Sequence, residues 1–309
     1  MKKSVTIFSP ASIANVGPGF DIMGFAIDDP GDKIVLEATR ESSHRIINRT
    51  GFNLPLDPDK NAATVSLSAF LKNIGSRQKF LITFIEKIQP GSGIGSSAAS
   101  SAASVFGANL LLGEPLTRKE LVPFAMEGER IASGSAHADN VAPVLLGGFV
   151  LVRSYEPLDL IEISSPPDLF CTVIHPEIEL ATKESRMILK GNVPLRLAVT
   201  QAGNAAGLIT GLLRSDYTLI RNSLHDVIAE PARSFLIPGF DMLKAASMKA
   251  GALGTSISGS GPSVFSLCKG RKTAGEVGRA MKKILDSMGI PNKVFVSGVN
   301  KQGVHTVSD

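Results

Sequence analysis

Short apolar runs with β-branched residues and partial alternation recur in the first third of the chain, as SVTIFSP (4–10), DKIVLEATR (32–40), HRIINR (44–49) and KFLITFIEK (79–87). Side chains on a strand alternate between faces, so these runs predict strands. Between them NAATVSLSAFLKN (61–73) has helical spacing. TRKELVPFAMEGERIA (117–132) opens with Thr117, carries Glu120 three residues later, and places Leu121, Val122, Phe124, Ala125 and Ile131 on one side. That is a capping box followed by an amphipathic pattern, and it predicts a helix over 117–132. GGFVLVRS (147–154) and LFCTVIH (169–175) predict strands, and helical patterns dominate from TKESRMILK (182–190) onward. GTSISGSGPSVFSLC (254–268) reads as strand, turn and strand, and TAGEVGRAMKKILDSMG (273–289) as a terminal helix with Gly289 at its C-terminal end. The turn-rich strip RSYEPLDLIEISSPPD (153–168) is the expected division between two domains, taken as 1–160 and 161–309.

Composition narrows the classes. A chain of 309 residues is about twice a typical domain. Its 32 basic and 28 acidic residues leave a net charge of +4 without any basic run, and Trp is absent. Basic tracts and stacking platforms of the kind nucleic-acid binders use are therefore missing. Two cysteines, Cys171 and Cys268, lack the paired spacing of a metal or redox motif and fit a reducing compartment. The opening MKKSVTIFSPAS is too polar for a signal peptide, and no apolar run reaches the length of a membrane span, so the expected location is cytoplasmic.

One segment carries chemistry. KFLITFIEK leads into PGSGIG (90–95) and then into the alanine-rich SSAASSAASVFGANLLLG (96–113). A strand, a glycine loop and a helix start make an anion site, because the first helical turn leaves N–H groups unpaired and carries about half a positive charge. The competing reading is a tight turn capped by Ser96 or Ser97, its small residues serving only helix packing. No Gly-Lys dipeptide occurs, which excludes the P-loop signature, and glycines at 91, 93 and 95 do not satisfy the dinucleotide fingerprint. A phosphate loop without its own lysine needs cationic help elsewhere. The simplest source is Mg2+ held by a carboxylate and a hydroxyl, for which Ser97 and Glu127 are the candidates. A G-x-S-x-G nucleophile elbow is absent, against a hydrolase.

PGSGIGSSAAS resembles the phosphate loop of the GHMP kinase superfamily. Two further segments match that superfamily in order, SPASIANVGPGFDIMGFAID (9–28) and GTSISGSGPSVFSLC (254–268). Within it, ANVGPGFD, GSAHADNVAPVLLGG (134–148), TKESRMILK and EPARSFLIPGF (230–240) resemble the homoserine kinases. Ile94 stands where leucine is usual, a volume-conserving departure.

The resemblance implies an α+β fold of two domains, the N-terminal one like ribosomal protein S5 domain 2 and the C-terminal one a ferredoxin-like sandwich, with the site between them. It implies ATP and Mg2+, with the nucleotide on Pro90, Gly91, Ser92, Gly93, Ile94, Gly95, Ser96, Ser97 and Ala98, and Asn61 near the base. The acceptor would be L-homoserine, a zwitterion with one reactive hydroxyl. Arg186 and Arg233 match carboxylate-binding positions, Asn15 and Asp21 hold polar groups with Asp21 the ammonium partner, and His137, Asp139 and Asn140 line the same pocket. Asn140 is placed near the hydroxyl, with Ser97 and Asp139 as the other catalytic candidates. No lysine in SGSAHADNVAP offers itself as a general base, and homoserine kinases lack one there too. Family members are often homodimers, though nothing in the sequence marks an interface. Two other readings stand beside this one: a different acceptor such as mevalonate or a sugar, and a silent nucleotide-binding homologue.

Overall fold

The computed structural model describes residues 3–178, 180, 185, 187–189 and 191–308. Two sheets organise it. The first contains β1 (Ser4–Ala14), β2 (Met23–Thr39), β3 (Arg45–Asn48), β4 (Lys79–Glu86), β5 (Phe149–Tyr155) and β6 (Leu158–Ile163), joined at its edge by β11 (His305–Thr306). Its main path runs β11-β1-β2-β4-β3, and β5 pairs with β2 and β6. Only β3 with β4 is parallel in this sheet. Four helices cover it: α1 (Ala62–Asn73), α2 (Ser96–Leu111), α3 (Arg118–Ser133) and α4 (Ala138–Leu146).

The second sheet is antiparallel, in the order β10-β7-β9-β8, built from β7 (Leu169–Pro176), β8 (Gly254–Ile257), β9 (Val264–Lys269) and β10 (Asn292–Gly298). Between β7 and β8 come α5 (Leu195–Arg214), α6 (Tyr217–Ser223), α7 (Ala229–Arg233) and α8 (Phe240–Lys249), and α9 (Arg271–Ser287) connects β9 to β10. Strand, helices, two strands, helix and strand in that order form a split βαβ sandwich, as expected of a ferredoxin-like unit. No helix among the described residues is long and apolar enough to cross a membrane.

Local chemistry explains the predicted elements. Asn61 caps α1 by accepting from the Ala63 N–H, and Thr117 with Glu120 forms the full capping box of α3, which ends on left-handed Gly134. Gly289 follows α9 at φ +69, with its N–H bonded to the Asp286 carbonyl. The structure extends two expectations. β1 runs on past Pro10 to Ala14 and β2 starts at Met23 and passes Gly24, Pro30 and Gly31, with a register shift at Pro10/Ala11, so the sheet is longer than the apolar runs indicate. Within the turn-rich strip 153–168, Leu158–Ile163 also forms β6 against β5, and the chain passes to the second sheet between Ile163 and Leu169.

α2 is buried on nearly every side. Its alanines and serines let α1, α3 and β1 approach closely, and Ser104 Oγ donates to the Ala63 carbonyl at 2.7 Å. Between the two sheets a separate apolar cluster joins Ile13, Phe25 and Phe149 to Cys171, Phe265 and Leu224. Phe25 stacks on Phe149 with ring centroids 4.4 Å apart and meets Phe265 edge-on at 6.3 Å, bridging the sheets. Both cysteines are free and buried.

Because Phe25 is fully buried at this seam, Phe25→Ala should cost about 3–5 kcal/mol of stability, read from chemical denaturation. A loss no greater than that of an exposed substitution would show that the sheets do not depend on this contact.

Candidate active site

The glycine loop lies at the meeting of the sheets, and its carbonyls are held by the protein. The Ser92 carbonyl accepts from Ser263 N–H at 3.3 Å and Ser263 Oγ at 2.6 Å, Gly93 accepts from Ser258 Oγ at 2.7 Å, and Ile94 accepts from the Ser12 N–H at 3.2 Å. In a trans peptide the carbonyl of one residue and the N–H of the next point opposite ways. Anchoring carbonyls 92, 93 and 94 to the scaffold therefore turns the N–H groups of 93, 94 and 95 toward the cleft. Gly93 and Gly95 have φ +79 and +72, and a Cβ on either would overlap the Gly261 carbonyl or Ser12 Oγ. Glycine is required there by backbone sign and by space.

The cap of α2 is Gly95 in the left-handed conformation, without a side-chain cap bond. The serine cap of the competing reading is not formed, so the first-turn N–H groups are not taken by a cap. Ser96 is committed instead to the Ile88 carbonyl, to which its hydroxyl donates at 2.8 Å. The small residues of α2 do serve packing, and the glycines before it serve a different purpose.

A cleft of about 560 Å³ opens at this loop. Of the predicted residues, Asn15, Asp21, Asn61, Pro90, Gly91, Gly93, Gly95, Ser96, Ser97, His137, Asp139, Asn140 and Arg233 line it. Ser92, Ile94 and Ala98 do not; all three are buried behind the loop. Arg186 lies outside the described residues. Asn61 faces the cleft with its amide already used, as the α1 cap and as a donor to the Pro55 carbonyl at 2.8 Å.

Glu127 is corrected. Its carboxylate is exposed and pairs with Arg130 at 3.1 and 3.2 Å, whereas Glu129 is buried and lines the cleft. Two residues apart on a helix are separated by about 200°, so only one of these glutamates can face inward. Burial raises the Glu129 carboxyl to about 7, opposed by a hydrogen bond with Ser97 and by the charge of Lys87.

Sequence reasoning also missed Lys87 and Asp32. Lys87 is nearly enclosed, and its ammonium donates to the Ser96 carbonyl at 2.7 Å, Ser96 Oγ at 2.6 Å and Asp32 at 2.9 Å. Burial lowers its pKa, opposed by Asp32. Asp32 is fully buried and also accepts from the Ile88 N–H at 2.8 Å and Ser100 Oγ at 2.7 Å. The missing loop lysine thus has a counterpart three residues ahead of Pro90, beneath the loop.

The other end of the cleft is polar. Asn15, Val16 and Asp21 have φ of 69, 43 and 59, left-handed values that cost energy for non-glycine residues. Asn15 steadies this loop by accepting from the Asp21 N–H at 3.0 Å and donating to the Gly259 carbonyl at 2.7 Å. Asp21 Oδ1 lies 3.7 Å from His137 Nδ1. Asn140 Oδ1 accepts from Ser12 Oγ at 2.9 Å, which fixes its amide plane. Arg233 is buried, donating to the Ser185 and Gly259 carbonyls at 2.9 and 3.2 Å, with its guanidinium 5.2 Å from the Phe20 ring centre.

One carboxylate and one hydroxyl, Glu129 and Ser97, at an anion-binding helix start fit a hard divalent cation that draws its other oxygens from phosphate and water. Among the described residues there is no group of three or more His, Cys, Asp or Glu able to hold a metal by themselves.

A buried carboxyl raised from 4.5 to about 7 adds stability that is complete below 4.5 and lost as pH rises through 7. In metal-free buffer Glu129→Gln should therefore gain melting temperature relative to the parent between about pH 5 and pH 8. A gap that does not change with pH would contradict the burial of this charge.

Comparison with known proteins agrees with this geometry. Residues 61–148 match the family described as GHMP kinases N terminal domain, and residues 208–287 match GHMP kinases C terminal. The chain is 46% identical to the homoserine kinase of Chloroherpeton thalassium, covering 97% of this chain and 98% of that one. It superposes on the crystal structure of homoserine kinase from Cytophaga hutchinsonii with a TM-score of 0.96 and 50% identity, covering 99% and 98% of the two chains. L. major mevalonate kinase, crystallised with R-mevalonate, shares the fold at a TM-score of 0.72 and 16% identity, over 95% and 97%. The chain therefore belongs to the GHMP kinase family, and within it to the homoserine kinases.

Proposed function

We propose that this cleft transfers the γ-phosphoryl group of ATP to the hydroxyl of L-homoserine, giving ADP and O-phospho-L-homoserine. The observation that carries this reading is the convergence, in one cleft, of a glycine loop with inward N–H groups and a polar end bearing Asp21 and Arg233. Those two side chains offer a carboxylate for an ammonium group and a guanidinium for a carboxylate, the opposite charges of a zwitterionic amino acid. Mevalonate and sugars have no ammonium group to match Asp21.

Phosphoryl transfer is catalysed mainly by position and by stabilising charge on the transferred oxygens. The N–H groups of Gly93 to Gly95 and of the first turn of α2 would receive the phosphates, with Lys87 adding positive charge beneath the loop. Leu54 and Pro55, beside Asn61, offer an apolar wall for the base. Ser97 and Glu129 would hold Mg2+, whose chemistry is to neutralise phosphate charge and orient the transferred group. Asn140, fixed by Ser12, would align the acceptor hydroxyl, while buried Asp139 organises the pocket. Arg233 would take the substrate carboxylate, and Arg186 is assigned beside it by resemblance alone.

The deciding assay measures ADP release with L-homoserine, mevalonate, galactose, shikimate and no acceptor. Turnover with L-homoserine alone is expected. Release with another acceptor would leave the phosphate loop in place and remove the amino-acid assignment.

Arg233→Leu should raise the homoserine KM severely while leaving the ATP KM near its parent value; equal losses for both ligands would contradict the carboxylate role. Glu129→Gln should abolish the tightening of ADP binding by Mg2+, read by calorimetry, whereas Glu127→Gln should preserve it. The reverse pattern would return the metal assignment to Glu127.

A further inference from the structure

The hydroxyl of Tyr155 sits where three segments of the acceptor end meet. Tyr155 is the last residue of β5 and lies in the turn-rich strip 153–168. Its Oη donates to the Asp21 carbonyl at 2.7 Å and accepts from the Ala138 N–H, the first of α4, at 3.3 Å. Its ring meets His137 edge-on, with centroids 6.3 Å apart and planes at 90°. Asp21 is thus held at both ends of its backbone, its N–H by Asn15 and its carbonyl by Tyr155.

That double anchor matters because Asp21 has φ +59. An aspartate in this region lies above its relaxed conformations, and surrounding bonds must hold it there. The peptide after Asp21 is held on its N–H side by the Gly19 carbonyl, to which Ile22 donates at 3.0 Å, and on its carbonyl side by Tyr155, so losing the phenol removes one of the two bonds that keep the segment carrying the Asp21 carboxylate beside His137. The same hydroxyl ties the start of α4, which carries Asp139 and Asn140, to this loop. The phenol therefore joins the segment of the ammonium partner to the start of the helix that carries the groups near the acceptor hydroxyl, alongside the Asn15 bond to Asp21 and the Ser12 bond to Asn140.

We propose that Tyr155 is a positioning residue that acts through Asp21, and that it sets the preference of the enzyme for acceptors bearing an ammonium group. This rests on the reading of Asp21 as the ammonium partner. Tyr155 itself takes no part in phosphoryl transfer.

Tyr155→Phe keeps the ring and its contact with His137 and deletes only the hydroxyl. The test compares parent, Tyr155→Phe and Asp21→Asn, measuring kcat and KM for L-homoserine, for its deamino analogue 4-hydroxybutanoate and for ATP, together with melting temperature. Loss of one aligned hydrogen bond should raise the homoserine KM of Tyr155→Phe about five- to tenfold. The ratio of kcat/KM for homoserine over the deamino analogue should fall by the same factor, with the ATP KM unchanged. An unchanged ratio, or equal rises in both KM values, would overturn the proposal. A lower melting temperature with the ratio intact would mark the hydroxyl as merely structural and would overturn it as well. Asp21→Asn separates the two levels: if it leaves the ratio unchanged, the ammonium reading itself fails. If it collapses the ratio while Tyr155→Phe does not, only the role of Tyr155 fails.

Discussion

The carbonyls of Ser92, Gly93 and Ile94 are bonded to the scaffold, and the rest of the site depends on that commitment. Two of the three anchors, Ser258 and Ser263, come from the β8–β9 turn of the second sheet, and the third, Ser12, from β1 of the first. The loop is consequently shaped by both halves of the chain, and its N–H groups face outward only while the halves are joined. The apolar seam of Phe25, Phe149 and Phe265 holds the sheets at the separation these bonds need. Packing at the seam and the shape of the loop are two consequences of one interface.

Charge follows the same logic. A buried ammonium is costly unless paired, and Lys87 is paired with Asp32 while also bonded to Ser96 at the start of α2. The pair leaves Glu129 as a second buried carboxylate in the same electrostatic neighbourhood, with its carboxyl raised by desolvation. That carboxylate shares a hydrogen bond with Ser97 and feels the charge of Lys87. A lysine under the loop and a buried carboxylate thus stand where other nucleotide folds place a loop lysine.

At the acceptor end the backbone stores strain. Asn15, Val16 and Asp21, in the loop after β1, take left-handed angles, and the bonds to Asn15 and Asp21 come from the loop itself, from Tyr155 of β5 and from the β8–β9 turn. Gln201 of α5 extends the same bracing, donating to the Pro18 carbonyl at 3.0 Å and to Asp226 at 3.0 Å, ahead of the helix that carries Arg233. Asp21 and Arg233 thus line the cleft on segments whose positions are set by protein hydrogen bonds.

By itself the sequence determined the elements and the order of the motifs. Strand alternation, the Thr117–Glu120 box and the Asn61 cap act over a few residues, and the glycines at 93 and 95 allow the positive φ that the loop adopts. It was equally legible that the loop lacked a lysine and needed a carboxylate nearby. Tertiary structure decided which carboxylate faces the cleft. The choice of Glu129 over Glu127 turns on the face α3 presents to α2, a matter of packing that helical spacing leaves open. Asp32 and Lys87 are 55 residues apart, and Tyr155 and Asp21 are 134 apart, so no local pattern joins them. Local rules fix backbone conformation because they operate through bonded neighbours; the partners of a buried charge or a strained peptide are fixed only when distant segments pack against it.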